Sequence, residues 1–377
     1  MIPFNKPHLT GKEVHYIYEA VHSGKISGNG IFTKKCHDFF TSTYNFPKVL
    51  LTSSCTDALE MSSLLMDIQP GDEVILPTFT FVSTANAFVL RGAKLVFVDS
   101  LASEPNMNVE LIEGLITPKT KVIVVVHYAG VACDMDVVMS IARKHKLFVV
   151  EDAAQAISSY YKGRPLGGIG DFGAFSFHET KNIISGEGGL LTINNSDYYN
   201  RSEIIWEKGT NRSAFFRGET DKYGWVDVGS SFLPSEIISA FLYAQLENLN
   251  EIQAKRLEIW STYHEKLSPL AINKKLRLPF IPAYATNNAH MFYLICNSLE
   301  ERTALIAYLK QHNILAVFHY LSLHKSPYFL DKHDGREMHF ADQYAETLVR
   351  LPLFYDLSKE DQEFICNTIL SFYSEKI

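Results

Sequence analysis

One lysine, one aspartate and one hydroxyl-rich turn are placed for chemistry. The run Phe175-Ser176-Phe177-His178-Glu179-Thr180-Lys181-Asn182 reads as a short aromatic strand that stops at a single lysine, and Gly186-Glu187-Gly188-Gly189 turns the chain soon afterwards. A lysine drawn out of water loses some of its preference for the charged form, so its pKa falls. An amine in that state can attack a carbonyl and later carry a proton. Upstream, Leu147-Phe148-Val149-Val150 reads as a buried strand that delivers Glu151-Asp152-Ala153-Ala154-Gln155 at its end. Earlier still, Thr52-Ser53-Ser54-Cys55-Thr56 lies between the apolar strand Val49-Leu50-Leu51 and a helix. Free N–H groups and hydroxyls at a helix start suit a phosphate; the same residues also make an ordinary Ser/Thr cap.

These are the parts a pyridoxal phosphate enzyme needs. Lys181 would hold the cofactor aldehyde, and Asp152 would pair with the protonated pyridine nitrogen and keep the ring an electron sink. The turn at Ser54–Thr56 would take the phosphate, and an aromatic such as Phe81 would stack on the ring. A capping carboxylate and a surface amine would account for the same two residues without any cofactor.

The elements that must position them alternate. Glu73–Pro77, Lys94–Val98 and Lys121–Val126 read as strands, Phe81–Leu90 and Met135–His145 as helices. The run Lys121–Val126 is too apolar to have a wet face, which places it inside a covered sheet. Strands alternating with helices predict a largely parallel sheet covered on both faces, with ligands at the carboxyl ends of its strands. The Ser53–Thr56 turn, Phe79–Phe81, His127-Tyr128, Asp152 and Lys181 all fall at such ends. By contrast, Gly168-Ile169-Gly170-Asp171-Phe172-Gly173 matches the dinucleotide fingerprint only in its letters. A turn precedes it and a strand follows, so it reads as a loop.

At the start, Thr10-Gly11-Lys12-Glu13 predicts a capping box, with Val14, Ile17, Tyr18 and Val21 on one helical face and Ser27-Gly28-Asn29-Gly30 as a turn behind it. Later, Ser202–Glu207 reads as a helix and Lys208–Tyr223 as a polar loop carrying Arg212, Arg217 and Lys222. Ser235–Leu249 and Glu251–His264 read as long amphipathic helices. The division expected is a large domain over 1–250 and a small α+β domain over 251–377, joined by a linking helix at 251–264. In the second, Met291–Ile295 and Ala316–Tyr320 read as strands and Ser298–Gln311 as a helix.

Of the 377 residues 46% are hydrophobic and 20% charged, and the net charge is −7. No basic run stands out, which argues against nucleic acid as a partner. The five cysteines are scattered singly, which argues against a disulfide framework or a zinc site and suits a reducing compartment. No charged leader ahead of an apolar stretch is visible, and no apolar run is long enough to span a bilayer. Cytoplasmic is the expectation.

The chain also resembles the DegT/StrS sugar aminotransferases. The likeness spans nearly its whole length, through Ser27-Gly28-Asn29-Gly30, Gly71-Asp72-Glu73-Val74, Pro77-Thr78-Phe79-Thr80-Phe81, Asp134-Met135-Asp136, Glu151–Gln155 and Phe175–Lys181. Within the family it is greatest to the branch that forms dTDP-4-amino-4,6-dideoxygalactose. It shares with that branch Ser54-Cys55-Thr56, the Phe79–Leu90 run, His127–Cys133, Gly209-Thr210-Asn211-Arg212-Ser213 and Gly229-Ser230-Ser231. The resemblance implies an α/β, aspartate aminotransferase-like (type I) fold and pyridoxal 5'-phosphate as cofactor. It implies Lys181 as the Schiff-base lysine and proton shuttle, Asp152 at the pyridine nitrogen, Gln155 against the ring hydroxyl and Phe81 stacked on the ring. Cys55 and Thr56 would bind the phosphate through backbone N–H groups, helped by Ser176. Many relatives place an asparagine of the partner subunit on the phosphate, where this chain has Ser231; shared sites imply a homodimer. Arg212, Arg217, Lys222, His319 and His324 are candidates to hold the sugar and its diphosphate, or are surface charges and packed histidines.

The reaction implied moves an amino group from L-glutamate to the 4-keto carbon of dTDP-4-oxo-6-deoxy-D-glucose, with galacto or gluco configuration at the new amine, for a surface glycan. Two other classes stand beside it. Dehydratases of the family carry histidine in place of the lysine, and a sugar-nucleotide binding protein has no need of Asp152 and Lys181 together.

Overall fold

The computed structural model describes residues 1–374. The strands are β1 (Val49–Thr52), β2 (Glu73–Pro77), β3 (Lys94–Val98), β4 (Thr120–Val126) and β5 (Phe148–Asp152), then β6 (Tyr160–Tyr161) and β7 (Arg164–Pro165), which pair with each other as a short hairpin. β8 (Phe172–Ser176) and β9 (Gly189–Ile193) follow. The main sheet has seven strands in the order β1-β9-β8-β5-β4-β2-β3. β9 runs antiparallel to both neighbours, and the pairs from β8 through β5, β4 and β2 to β3 are parallel. The expected mostly parallel sheet is there, with one reversed strand. The reversal has a consequence for the site: the first residue of β9, Gly189, pairs with Thr52 and Ser176, the last residues of β1 and β8.

Both faces of the sheet are dry. Along β4, Val122 and Val124 enter one apolar core while Ile123 and Val125 enter the other. That is the period-two alternation of a strand with no solvent face.

A second sheet is formed by β10 (Phe292–Ile295), β11 (Val317–Phe318) and β12 (Leu348–Leu351), in the antiparallel order β10-β12-β11. The helices Leu299–Gln311 and Lys359–Ser374 pack with it. So does the helix Leu249–Ile272, through Ile259, Tyr263 and Leu267. Among the described residues no helix is long and apolar enough to cross a membrane.

Several local expectations need correction. Leu249–Ile272 is one helix of 24 residues, well past His264. The strand expected over Ala316–Tyr320 shrinks to Val317–Phe318, because Tyr320 turns the chain out of the sheet at φ 34°. The polar loop after Lys208 contains the short helix Arg212–Phe216. Only half of the capping box forms: the Glu13 carboxylate accepts the Thr10 and Gly11 N–H groups at 2.7 and 2.9 Å, while the Thr10 hydroxyl lies 3.5 Å from the Lys12 nitrogen. Of the apolar stripe of that helix only Ile17 packs inward, against the cluster of Ala20, Phe32 and Ala240, while Val14, Tyr18 and Val21 are exposed. The helix Ile31–Tyr44 had no cap legible in the sequence. Its cap comes from far away: the buried Glu236 carboxylate accepts the N–H groups of Gly30, Phe32 and Thr33 at 2.8 to 3.2 Å. A carboxylate there matches the positive end of the helix dipole.

Candidate active site

The carboxyl ends of β1, β2, β5 and β8 deliver the site. After β1, Ser54 caps the helix Cys55–Leu65, its hydroxyl accepting from the Asp57 nitrogen at 3.1 Å. The Ser54 carbonyl accepts from Ala58. The first N–H groups of a helix have no partner within it, which leaves those of Cys55 and Thr56 for a ligand. The Thr56 hydroxyl donates to Ser83 at 2.8 Å and ties this turn to the next helix, Val82–Val89. A side chain at position 189 would destroy the arrangement. A Cβ on Gly189 would stand 2.4 Å from the Ser54 carbonyl carbon and 2.6 Å from the Cys55 nitrogen. Cys55 is half-buried, and burial pushes its thiol pKa well up, with Asp152 and Lys181 both near enough to act on it.

β5 ends at Asp152, which is buried. Its Oδ2 accepts a 2.6 Å hydrogen bond from the Thr84 hydroxyl, itself 2.9 Å from the Thr80 hydroxyl, and its Oδ1 accepts from the Ala154 nitrogen at 3.2 Å. Burial raises the Asp152 pKa against those two donors and the attraction of Lys181. A buried carboxylate needs a positive partner. Gln155 is held at both ends: its Oε1 accepts from the Ala129 nitrogen at 2.6 Å and its Nε2 donates to the Tyr320 hydroxyl at 3.0 Å.

Glu151 points to the other side of β5. It accepts from the N–H groups of Gly167, Ile169 and Gly170 at 2.6 to 2.8 Å and lies 3.0 Å from His127 Nε2. Burial pushes its pKa up, but His127 and the backbone donors win and hold it low. Within the apparent dinucleotide fingerprint, the N–H groups of Ile169 and Gly170 are therefore taken by a side chain of the protein itself.

β8 ends at Ser176, whose hydroxyl accepts weakly from the His178 nitrogen at 3.4 Å. Lys181 follows in a turn closed by its own N–H on the His178 carbonyl at 2.9 Å. Burial of the amine lowers its pKa, Arg350 adds to that, and Cys55 and Asp152 oppose it. Phe81, the residue ahead of the helix Val82–Val89, is 56% exposed with its ring 6.3 Å from Tyr320. An aromatic face left open beside a buried carboxylate and an amine is a stacking surface.

The other candidates are less central. Ser231 is exposed and bridges to Glu207, and the carbonyl of the next residue, Phe232, accepts from the Ser53 nitrogen at 2.9 Å. Ser231 thus stands beside the turn of its own chain. Arg217 is engaged by Glu203 and Glu219 at 2.8 and 2.7 Å. Arg212 is exposed with its guanidinium 5.2 Å from the Phe216 ring, and Lys222 is exposed. His319 is buried at the site, its Nδ1 2.7 Å from the Tyr128 hydroxyl and its ring stacked on Tyr320 at 3.5 Å. His324 is turned away, toward the Thr78 hydroxyl at 2.8 Å and Asp342 at 3.7 Å. The sequence reading missed Thr84, Tyr320 and Arg350. Thr84 was within reach, lying one helical turn beyond Phe81; the other two come from chain far removed in sequence.

The sequence profile of the DegT/DnrJ/EryC1/StrS aminotransferase family matches residues 7–370. The chain belongs to that family. It is similar to the GDP-perosamine synthase of Escherichia coli O157:H7, 32% identical over 380 residues, covering 100% of this chain and 99% of the relative. Among solved structures it is similar to the aminotransferase TlmJ of Streptoalloteichus hindustanus, at TM-score 0.92 and 28% identity with both chains wholly covered. It is also similar to the putative sugar aminotransferase Spr1654 of Streptococcus pneumoniae in its PMP-form, at TM-score 0.92 and 27% identity with both chains wholly covered. The PLP-form of Spr1654 gives a TM-score of 0.90.

This aminotransferase has the type I fold and uses pyridoxal phosphate. Its residues fit that cofactor. The gap kept open by Gly189 exposes two N–H groups at a helix start, a buried carboxylate lies across from an amine of lowered pKa, and an aromatic face stands open beside them.

Proposed function

We propose that the enzyme moves the amino group of L-glutamate to the 4-keto carbon of dTDP-4-oxo-6-deoxy-D-glucose, giving dTDP-4-amino-4,6-dideoxy-D-galactose. What carries the proposal is the meeting of the Ser54–Cys55 turn with Gly189 at the ends of β1 and β8, with Asp152 and Lys181 close enough to act on Cys55. Nucleotide-linked sugar as the substrate class is supported by the likeness to GDP-perosamine synthase. The dTDP and galacto assignments are supported by the shared runs Ser54-Cys55-Thr56, His127–Cys133 and Gly209–Ser213.

When bound, the cofactor supplies an aldehyde and a ring that accepts the electron pair released at the donor carbon. The N–H groups of Cys55 and Thr56, with the Ser176 hydroxyl, hold its phosphate. The Asp152 carboxylate, steadied by Thr84 and Ala154, would pair with its pyridine nitrogen. The Gln155 amide, fixed by Ala129 and Tyr320, meets the ring hydroxyl, and Phe81 covers one ring face. Lys181 Nζ, its pKa lowered by burial, takes the proton from Cα of the donor; in the return half it brings a proton to C4 of the sugar. Which face of the sugar lies over Lys181 sets the configuration at C4.

We assign the working state to a homodimer in the cytoplasm. Phe216, Tyr223, Trp225, Val226 and Val228 form an exposed apolar stretch just before Ser231, and Trp225 is 85% exposed. Apolar surface of that extent marks an interface. The division at residue 250 is assigned likewise, the second sheet and its own core lying beyond it.

The test is to incubate the purified enzyme, loaded with pyridoxal phosphate, with L-glutamate and either dTDP- or GDP-4-oxo-6-deoxy sugar. The product's C4 configuration is read by NMR, and the molecular mass by sedimentation. Formation of the galacto product from the dTDP substrate by a dimer is expected, with none from Lys181→Ala. A gluco product, or preference for the GDP sugar, would overturn the finer assignment and leave the aminotransferase intact.

A further inference from the structure

Behind the turn that carries Lys181 lies a small cavity of about 10 Å³, room for about one particle the size of a water molecule. Its walls come from three places: the N-terminal segment at Asn5 and Lys6, the turn at Asn182 and Ile184, and the helix Leu249–Ile272 at Arg256. Cys55, Phe81, Asp152, Gln155 and Ser176 do not line it, so it stands apart from the cofactor site. Asn5 Nδ2 donates to the Glu179 carbonyl at 3.1 Å and closes the N-terminal segment over the turn.

Two kinds of donor around this cavity are unpaired. Arg256 is buried; its Nε donates to the Ala289 carbonyl at 3.1 Å and its Nη2 to the His290 carbonyl at 2.8 Å, which leaves Nη1 without a partner among the described residues. Burial pushes its pKa down to about 10, and among the described residues no carboxylate acts to offset that. A guanidinium stays charged at any ordinary pH, and taking one from water without an anion is unfavourable. The N–H groups of Asn182, Ile183 and Ile184 also have no hydrogen-bond partner among the described residues, although all three residues are buried. Orphaned buried N–H groups are rare, and successive ones in a turn form a concavity suited to an anion.

The charge of the walls agrees. Lys6, His8, Lys181 and Arg256 line the cavity against one carboxylate residue, Glu179, which is exposed. Lys6 and His8 have Asp356 at 3.5 and 3.4 Å, whereas Arg256 has no such partner among the described residues. Water would offer an acceptor but no charge, and an anion of several heavy atoms is too large for the space. We infer that the cavity is a binding site for one monovalent anion of about the size of chloride, held by the Arg256 guanidinium and the backbone N–H groups that follow Lys181. The inference goes beyond the transaminase reading and does not depend on its donor or its sugar. Once bound, the ion joins the N-terminal segment, the turn of Lys181 and the helix that leads to the second sheet.

The test uses the cofactor-loaded enzyme and sodium bromide, whose anion scatters anomalously and is close to chloride in size. Crystals soaked in bromide are measured at the bromine edge. Melting temperatures are followed against bromide at constant ionic strength, with gluconate as the balancing anion. One anomalous peak is expected between Arg256 and the backbone of Asn182–Ile184, with a melting temperature that rises and then saturates. At ten times the half-saturating concentration the unfolding constant should be about 10-fold lower than in gluconate. Arg256→Gln, whatever its baseline stability, should weaken bromide binding about 10- to 100-fold, through loss of a hydrogen bond to a charged group. Asn5→Asp alters an exposed hydrogen bond, puts a carboxylate on the cavity wall and should also lose the peak. It keeps the test decisive if Arg256→Gln does not fold. A wild-type crystal with no peak in the cavity, or with peaks only on the surface, would overturn the inference. So would a melting temperature that responds alike to bromide and gluconate, or a full bromide response in Asn5→Asp.

Discussion

Thr84→Val removes one oxygen from the support of Asp152 and leaves the shape of the side chain almost unchanged. Asp152 is buried, and burial drives its pKa upward; the Thr84 hydroxyl at 2.6 Å is the strongest of the contacts that hold it down, ahead of Ala154 and Lys181. A hydrogen bond to a charged group contributes about 1.5–3 kcal/mol, and each pKa unit corresponds to about 1.4 kcal/mol. Loss of the Thr84 donor therefore raises the Asp152 pKa relative to wild type, since that hydrogen bond is made to the ionised form. The sign follows directly. In the proposed role Asp152 works as the anion, so at any pH on the acidic side a smaller fraction of the variant is competent. The acidic limb of the pH profile for the glutamate half-reaction moves to higher pH, while the alkaline limb, set by other groups, stays in place. Thr84→Ser keeps the hydroxyl and should return the limb toward its wild-type position. The profile is measured with cofactor-saturated enzyme in single turnovers, beside the melting temperature. An acidic limb that does not move in Thr84→Val, in a protein that melts normally, would refute the claim that this hydroxyl keeps Asp152 ionised.

Two further outcomes follow from the packing around the site. Gly189→Ala should weaken pyridoxal phosphate binding by about 10- to 100-fold, the loss of a hydrogen bond to a charged group at about 1.5–3 kcal/mol, since β9 is held on both sides and cannot retreat. Fluorescence titration of the apoprotein measures it, and wild-type affinity would show that the Ser54–Cys55 peptide is not part of the cradle. Glu151→Gln should destabilise the fold by about 2–6 kcal/mol, because the amide –NH2 would face two of the buried donors that Glu151 accepts and leave each unsatisfied at about 1–3 kcal/mol, as read by chemical denaturation. The Glu151 pKa is held below its ordinary 4.5, so its contribution is complete above that value. It is lost as pH falls through the lower folded value, and the stability gap between wild type and Glu151→Gln should close over that acidic range.

The alternation of β-branched runs with amphipathic stretches determined the main sheet, because the period of an apolar pattern is local information. Lys94–Val98 and Met135–His145 have the bounds their patterns predicted. Asp152, Lys181 and the Ser54–Thr56 turn were legible for a similar reason. Asp152 and the Ser54–Thr56 turn sit where strands end, and strand ends in such a sheet gather at one edge. Lys181 lies beyond its expected place at a strand end, because β8 stops at Ser176 and a turn carries the chain on to it. The reversal of β9, the residue facing Gly189 and the long-range cap that Glu236 gives to the helix Ile31–Tyr44 were not legible, since each depends on which distant segments meet. The exposed stripe Val14, Tyr18 and Val21 shows the limit of the pattern from the other direction: periodicity tells which face is apolar, not what will cover it.

The sequence by itself determined the fold class and the mostly parallel sheet whose strand ends gather at one edge. Only the tertiary structure decided which polar groups stand together. Thr84 reaches Asp152 across two strand ends, Tyr320 arrives from the second sheet to hold Gln155, and Arg350 is left there without an anion of its own. The physical reason is one of range. Strand and helix patterns are set by neighbours a few residues apart, whereas the partner of a buried charge is chosen by the closure of the whole chain.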